Sequence, residues 1–278
     1  MPELPDVEGF RKILETCAKG RVIERVDVRD TGVLHGISAK GLRDALEGRR
    51  FEEPERHGKW LLARTDEQPT LMLHFGMTGR LVCAGSGNQA SDDQPQDDPV
   101  QDDPVQAHDR VLFTLAGGRR LRYRDQRKLR GLWLAEDESE VDRLLEGQGP
   151  DALAVSREEF DSALAGRRGQ IKTALTDQSV VAGLGNLLAD EILWRARLRP
   201  DSRARDLSQA DRRDLYTHMR HTLHAAVSAG CVPRRGSWLT GHRDERVPTC
   251  PRCGTHLRRS RVGGRGTVWC PHCQPDAS

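Results

Sequence analysis

The chain has 278 residues, with 44 Lys and Arg against 42 Asp and Glu and a net charge of +2. That length fits two domains with room for a small third module. No apolar run approaches the roughly 18 residues of a membrane span, and no charged, apolar, small-residue succession marks an export signal. Neither a membrane protein nor a secreted one is expected, but a cytoplasmic protein with reduced thiols. The near-neutral total hides an uneven distribution. Asp92, Asp93, Asp97, Asp98, Asp102 and Asp103 crowd one short stretch, and without them the body carries about +8. Arginine dominates that body, at Arg119 to Arg130, Arg195 to Arg220 and near the C-terminus. Guanidinium groups make bidentate contacts to phosphate, which points to a nucleic-acid partner.

In chain order, the first stretch is Met1-Pro2-Glu3-Leu4-Pro5-Asp6-Val7-Glu8. Removal of Met1 would leave Pro2 as a free secondary amine. An α-amine has a reference pKa of about 8, so a usable fraction is neutral and nucleophilic near pH 7. Such an amine can attack a sugar aldehyde carbon to form a Schiff base, with the neighbouring Glu3 available for proton transfer. The plainer alternative is a polar lead-in to a helix. Val7, Phe10, Ile13, Leu14 and Cys17 recur at helical spacing, Pro5 suits a first turn and Lys19-Gly20 a helix end. Residues 22–28, 60–63, 70–75, 110–115 and 120–123 then read as short strands between Gly-rich turns, which predicts a β-sandwich or barrel. The segment 86–106 repeats Gln-Asp-Asp-Pro-Val and reads as a disordered acidic insertion that points away from any polyanion. Cys17, Cys83 and Cys231 are isolated in sequence and read as core filler.

Beyond a linker over 136–150 the pattern turns helical. Ser156-Arg157-Glu158-Glu159 resembles a capping box. Ile171 to Leu175 is a short helical piece that includes Lys172, and Gly183-Leu184-Gly185-Asn186 is a turn opening another helix. Glycines there would let backbone approach a phosphate at the helix N-terminus, with Asn186 adding a donor. A long helix is expected over Gln209–Ala229 with Leu215, Met219, Leu223 and Ala226 buried; His218, His221 and His224 are read as surface residues. Finally, Cys250-Pro251-Arg252-Cys253 and Cys270-Pro271-His272-Cys273 give C-x2-C-x16-C-x2-C, the spacing of a four-thiolate zinc site. The residues between would form a β-hairpin with Arg265 at its tip, able to reach a groove or a phosphate. Two loops carry an apolar residue among cations: His74-Phe75-Gly76-Met77-Thr78-Gly79-Arg80 and Asp125-Gln126-Arg127-Lys128-Leu129-Arg130. Such wedges suit a protein that unstacks DNA and fills the place of an extruded base.

Taken in order, the N-terminal octapeptide, His57-Gly58-Lys59, His74 to Gly79, Asp177 to Asn186 with Ala189-Asp190-Glu191, and the four-cysteine finger resemble the formamidopyrimidine-DNA glycosylase and endonuclease VIII family, and the formamidopyrimidine branch more closely. The resemblance covers nearly the whole chain outside the acidic insertion. It implies an α+β multidomain fold. An N-terminal β-sandwich with a leading helix would occupy 1–135, a helix–two-turn–helix domain 151–232 and a zinc finger hairpin 240–276, with damaged double-stranded DNA in the cleft. The implied activity is excision of oxidised or ring-opened bases followed by β,δ-elimination at the abasic site; the alternative is a damage-binding protein with weak or no excision. Residue by residue, Pro2 would be the nucleophile on C1′ and Glu3 the sugar-ring proton donor. Lys59 would contact phosphate and assist elimination, while Asn186 and Arg265 grip the flanking phosphates, Arg265 with a catalytic share. Met77 and Arg127 match the void-filling positions. His74, Lys128 and Lys172 join the DNA-binding set. Cys250, Cys253, Cys270 and Cys273 would hold one structural Zn2+. The expected protein is a monomer, bacterial in type, cytoplasmic and nucleoid-associated.

Three departures bear on the substrate. The third void-filling position, usually phenylalanine, is Leu129, which cannot stack on a base. The stretch Gly230–Thr249 is short where the formamidopyrimidine branch has a loop over a flipped 8-oxoguanine. The phosphate-binding tyrosine before the finger is missing, with His242 its nearest substitute.

Overall fold

The computed structural model describes residues 2–85 and 106–275, so the acidic insertion, Gln106 apart, lies outside the described residues. The chain forms two compact units. The first holds Met1–Pro2 and Val7–Glu146, the second Glu3–Asp6 and Gly147–Ser278.

The first unit is a β-sandwich with three helices. Helix α1 (Leu4–Ala18) buries Val7, Leu14 and Cys17, the stripe its spacing predicts; its opening residues Leu4–Asp6 are counted with the second unit. Asp6 closes the helix start by accepting from the Glu3 backbone N–H at 2.8 Å. Strands β1 (Ile23–Val28) and β2 (Leu34–His35) follow, then α2 (Ala39–Leu46), capped by Ser38. Next come β3 (Glu55–His57), β4 (Trp60–Ala63), β5 (Thr70–His74), β6 (Arg80–Ala84), β7 (Asp109–Leu115), β8 (Arg119–Arg124), β9 (Leu132–Ala135) and α3 (Glu138–Leu145). One sheet has the order β1-β7-β8-β6, all antiparallel. The other runs β2-β9-β5-β4-β3, antiparallel except for β2 beside β9.

Alternation decides which way each side chain faces. Leu61, Leu71 and Leu73 enter the main core with Phe51, Phe75, Phe113 and Tyr123. Trp60, Leu62 and Met72 point to the other side, where they pack with Val141 of α3. A strand buried on both faces explains why Trp60–Ala63 reads as continuous apolar sequence. It also corrects the expected linker over 136–150, since helix α3 lies inside it. Two further readings change. Cys17 and Cys83 are joined in a disulfide, so they are neither reduced as expected nor independent core thiols, and Cys231 is exposed. Sequence carries no sign of that pairing, because the partners lie 66 residues apart on a helix and a strand.

The second unit is helical and ends in a hairpin. Helix α4 (Arg157–Leu164) begins with the expected capping box at Ser156 and Glu159, and α5 (Ile171–Thr176) and α6 (Asn186–Arg195) follow. Helix α7 (Gln209–Ala229) has a second capping box at Ser208, buries Leu215, Met219, Leu223 and Ala226, and ends at Gly230 in the left-handed conformation. Helix α8 (Leu239–His242) is a single turn. Leu4 packs in this core with Leu184, Leu188 and Ile192. Strands β10 (Arg258–Val262) and β11 (Arg265–Trp269) pair antiparallel, and Val262 faces Arg265. The intervening Gly263 and Gly264 both have positive φ, as a two-residue hairpin turn requires. Among the described residues no helix is long and apolar enough to cross a membrane.

Candidate active site and nucleic-acid interface

In the first unit, Pro2 is half-buried ahead of α1, and Lys59 sits buried at the β3–β4 turn, where Gly58 has φ +56°. Arg56 fixes that turn to α1. Its Nε lies 3.1 Å from Glu8 Oε2 and its Nη1 donates to the Gly58 carbonyl at 3.1 Å. The charge of Arg56 is thus spent inside the protein, although it reads in sequence as one more cation. His74 is also not a cation near neutral pH. Burial, with Arg130 and Lys59 nearby, pulls its pKa down to about 4, and its Nδ1 accepts from the Gly76 backbone N–H at 3.1 Å. The wedge residues do reach solvent: Met77 is 40% exposed and Leu129 50%. Their turns adjoin, since a Cβ on Gly76 would stand 3.5 Å from Leu129 Cβ. Lys128, with φ +51°, places its ammonium 2.9 Å from Asp30.

In the second unit, the start of α6 is occupied by a carboxylate from the far end of the chain. Glu3 is 1% exposed and accepts three backbone hydrogen bonds, from Gly185 N at 3.0 Å, Leu187 N at 2.8 Å and Leu188 N at 3.1 Å. These are donors that a helix N-terminus leaves free, and its dipole favours the negative charge. The glycines before α6 serve this contact. A Cβ on Gly185 would lie 2.3 Å from Glu3 Cδ, and one on Gly183 would lie 2.6 Å from Leu4 Cδ1. The glycines of this turn admit the N-terminal segment, and its backbone N–H groups hold Glu3.

Asn186 and Lys172 also have partners within the unit. The Gly266 carbonyl, next to the exposed Arg265, accepts from Asn186 Nδ2 at 3.0 Å, Lys172 Nζ at 3.2 Å and Arg243 Nη2 at 2.8 Å. Lys172 is fully buried, 2.6 Å from Asp190 Oδ1 and 2.7 Å from Thr267 Oγ1, and burial pulls its pKa down. The sequence reading placed Lys172 on DNA; the structure makes it an internal anchor of the hairpin. His242 donates its Nε2–H to the Gly236 carbonyl at 2.8 Å and lies 3.0 Å from Glu245, so its ring too is engaged within its own loop. Sequence reasoning assigned no role to Asp190 or Glu191. Asp190 accepts from Val268 N at 3.1 Å and pairs with Arg243, and Glu191 accepts from Thr240 N at 3.1 Å. Helix α6 therefore positions both the hairpin and α8. The acidic pair was visible in sequence, but nothing local named partners 78 and 49 residues away.

The four thiols fit one metal ion. Their sulfurs all lie within 4.8 Å of one another, with Cys250–Cys273 at 3.9 Å, Cys253–Cys270 at 3.6 Å and Cys253–Cys273 at 3.5 Å. A tetrahedron with Zn–S bonds of about 2.3 Å has edges of roughly 3.8 Å. Trp194 of α6 donates its indole N–H toward Cys250 Sγ at 3.4 Å, and Arg252 stacks on that ring at 4.4 Å.

A β-sandwich, a helical unit whose glycine turn receives the N-terminal carboxylate, and a four-thiolate hairpin together define a helix–two-turn–helix protein with a zinc finger. Residues 1–132 match the formamidopyrimidine-DNA glycosylase N-terminal domain, 147–234 the H2TH domain of the same enzymes, and 248–275 the zinc finger found in FPG and IleRS. The chain is 36% identical over 288 residues to the formamidopyrimidine-DNA glycosylase of Heliobacterium modesticaldum and 35% identical over 288 residues to that of Halorhodospira halophila, in each case across 99% of this chain and 100% of the relative. The solved complex of Lactococcus lactis FPG (MutM) with FAPY-dG-containing DNA matches with a TM-score of 0.83 at 26% identity, over 99% of this chain and 100% of that one. The chain belongs to the formamidopyrimidine-DNA glycosylase family. Cys250, Cys253, Cys270 and Cys273 accordingly hold one structural Zn2+.

Proposed function

We propose that this chain, a DNA glycosylase and abasic-site lyase of base excision repair, acts through Pro2 and Glu3 on damaged duplex DNA. The observation that carries the reading is the Glu3 carboxylate, buried on three N–H groups at the start of α6 while its chain neighbour is Pro2. Nucleophile and proton donor are thus adjacent by covalent connection, and one of them is held rigidly. With Met1 removed, the Pro2 nitrogen attacks C1′ of the damaged nucleotide. The C1′–base bond breaks, and the base departs with the bonding electrons and takes up a proton. The proton released from the Pro2 nitrogen passes to the Glu3 carboxylate, which delivers it to the ring oxygen, so that the sugar opens and the C1′–nitrogen bond becomes an iminium. Loss of a proton from C2′ then expels the 3′ phosphate, and a second elimination expels the 5′ phosphate. Lys59 and Arg265 supply positive charge to the phosphates, and Asn186 helps grip them. Met77, Arg127 and Leu129 fill the place of the extruded nucleotide.

In this reading 1–135 is the catalytic domain, 151–232 the DNA-gripping domain and 240–276 the finger, and the protein works as a cytoplasmic, nucleoid-associated monomer. The substrates are oxidised or ring-opened bases. Borohydride trapping on duplex DNA with an abasic site tests the chemistry. Wild type should form a covalent adduct, Pro2→Gly none, and Glu3→Gln little. Absence of a wild-type adduct would remove the lyase assignment and favour a protein that only binds damage.

A further inference from the structure

The mechanism gives no role to Asp125, a buried carboxylate of the first unit. Asp125 follows β8 and is fully buried. Its Oδ1 accepts from Thr78 Oγ1 at 2.5 Å and from the Arg127 backbone N–H at 3.1 Å. The same Arg127 N–H also points at Thr78 Oγ1, 3.0 Å away, so the hydroxyl donates to the carboxylate and accepts from the loop. The backbone of Asp125 is itself fixed. Its N–H donates to the His108 carbonyl at 3.0 Å, and its carbonyl accepts from Arg110 Nε at 2.7 Å. Two exposed turns therefore share one anchor: 75–79, which carries Met77, and 125–130, which carries Arg127 and Leu129. At their outer ends the Arg127 guanidinium lies 3.1 Å from Met77 Sδ.

We propose that the Thr78–Asp125 pair is a positioning latch that holds Met77 and Arg127 at fixed separation, so that they enter a duplex as one wedge. The proposal rests on the reading that these two residues fill the void. Its physical basis is preorganisation. Met and Arg are long, rotamer-rich side chains on separate turns, and each would otherwise lose its freedom only on binding. Charge-assisted hydrogen bonds to a buried carboxylate, made before DNA arrives, remove the relative motion of the two backbones. Thr78 suits the task because a hydroxyl both donates and accepts. Valine has the same shape and does neither.

The test compares wild type, Thr78→Val, Thr78→Ser and Met77→Ala under single-turnover conditions. One substrate is a duplex with a ring-opened purine and 2-aminopurine opposite the lesion; the other is a single strand with a preformed abasic site, which has no opposite base and no stack to fill. The latch predicts that Thr78→Val slows both excision and the 2-aminopurine fluorescence change about tenfold. It should leave single-strand cleavage unchanged, and Thr78→Ser should recover most of the loss. Wild-type kinetics for Thr78→Val on the duplex, with Met77→Ala slow, would overturn the latch while sparing the wedge. An equal loss on both substrates would overturn it as well, by making Thr78 a general structural residue. Wild-type kinetics for Met77→Ala would remove the wedge itself.

Discussion

Glu3 and Gly185 are 182 residues apart, yet the fit between them is the tightest constraint on the chemistry. Any side chain at 185 collides with the carboxylate, because a Cβ there stands within 2.5 Å of Glu3 Cγ and Oε1. Gly185→Ala should therefore displace the proton donor and slow formation of the trapped adduct by about 100-fold, the usual cost of a misplacement near 1 Å. A wild-type rate in that variant would argue against Glu3 in the reaction. His74 makes a prediction of another kind. Its pKa of about 4 lies below the value of about 6.5 expected in an unfolded chain, so the unfolded state binds more protons between those limits. The contribution is fully present above pH 6.5. It declines as pH falls toward 4, by a total on the order of 3 kcal/mol. NMR titration of the ring checks this: the resonance should stay neutral through pH 6, and an inflection near 6.5 would contradict the burial argument.

At the scale of elements, α6 is the common support. Its N-terminus holds Glu3, Asp190 holds β11, Glu191 holds α8, and Trp194 faces the first cysteine pair. The four contacts spread over its length, so one helix sets the position of the Glu3 carboxylate and of a metal-bound hairpin. Helix α1 has an analogous tie at its other end through the Cys17–Cys83 disulfide to β6. Closing a loop of that length stabilises a fold by about 4 kcal/mol in the chain-entropy description. Reduction with a thiol reductant, or Cys17→Ala with Cys83→Ala, should lower the denaturant midpoint accordingly. An unchanged midpoint under reducing conditions would mean that the two thiols contribute only as packed side chains. Helices read well from sequence where the signal is local: the capping box at Ser156 and the apolar stripe of α7 stand where residue type and periodicity put them. Strands β3, β6 and β9 and helices α2 and α3 did not. They are short, and their burial depends on which sheet face or neighbour they meet, which no nearby residue records.

For the whole molecule, charge is the relevant quantity. Apart from its acidic insertion the chain carries about +8, and several phosphates would be neutralised by Arg and Lys on binding. With six or more such contacts, duplex affinity should fall about a thousandfold between roughly 50 and 200 mM salt. A flat salt response, measured by titration of an abasic duplex, would contradict a phosphate-dominated interface.

The sequence by itself determined what lies within a few residues of itself: the proline beside a carboxylate, the paired Cys-x-x-Cys knuckles, the Gly-Gly hairpin tip before Arg265, the two turns with an apolar residue among cations. Each is a matter of residue type at short spacing, which the backbone honours wherever the chain folds. Only the tertiary structure decided which groups are already spent. The glycines before α6 make room for Glu3, Lys172 is buried under the finger hairpin, Arg56 is tied to Glu8, and Cys17 meets Cys83. Those outcomes depend on partners brought together by packing, and a charge or a glycine looks the same in sequence whether it faces solvent or another part of the chain.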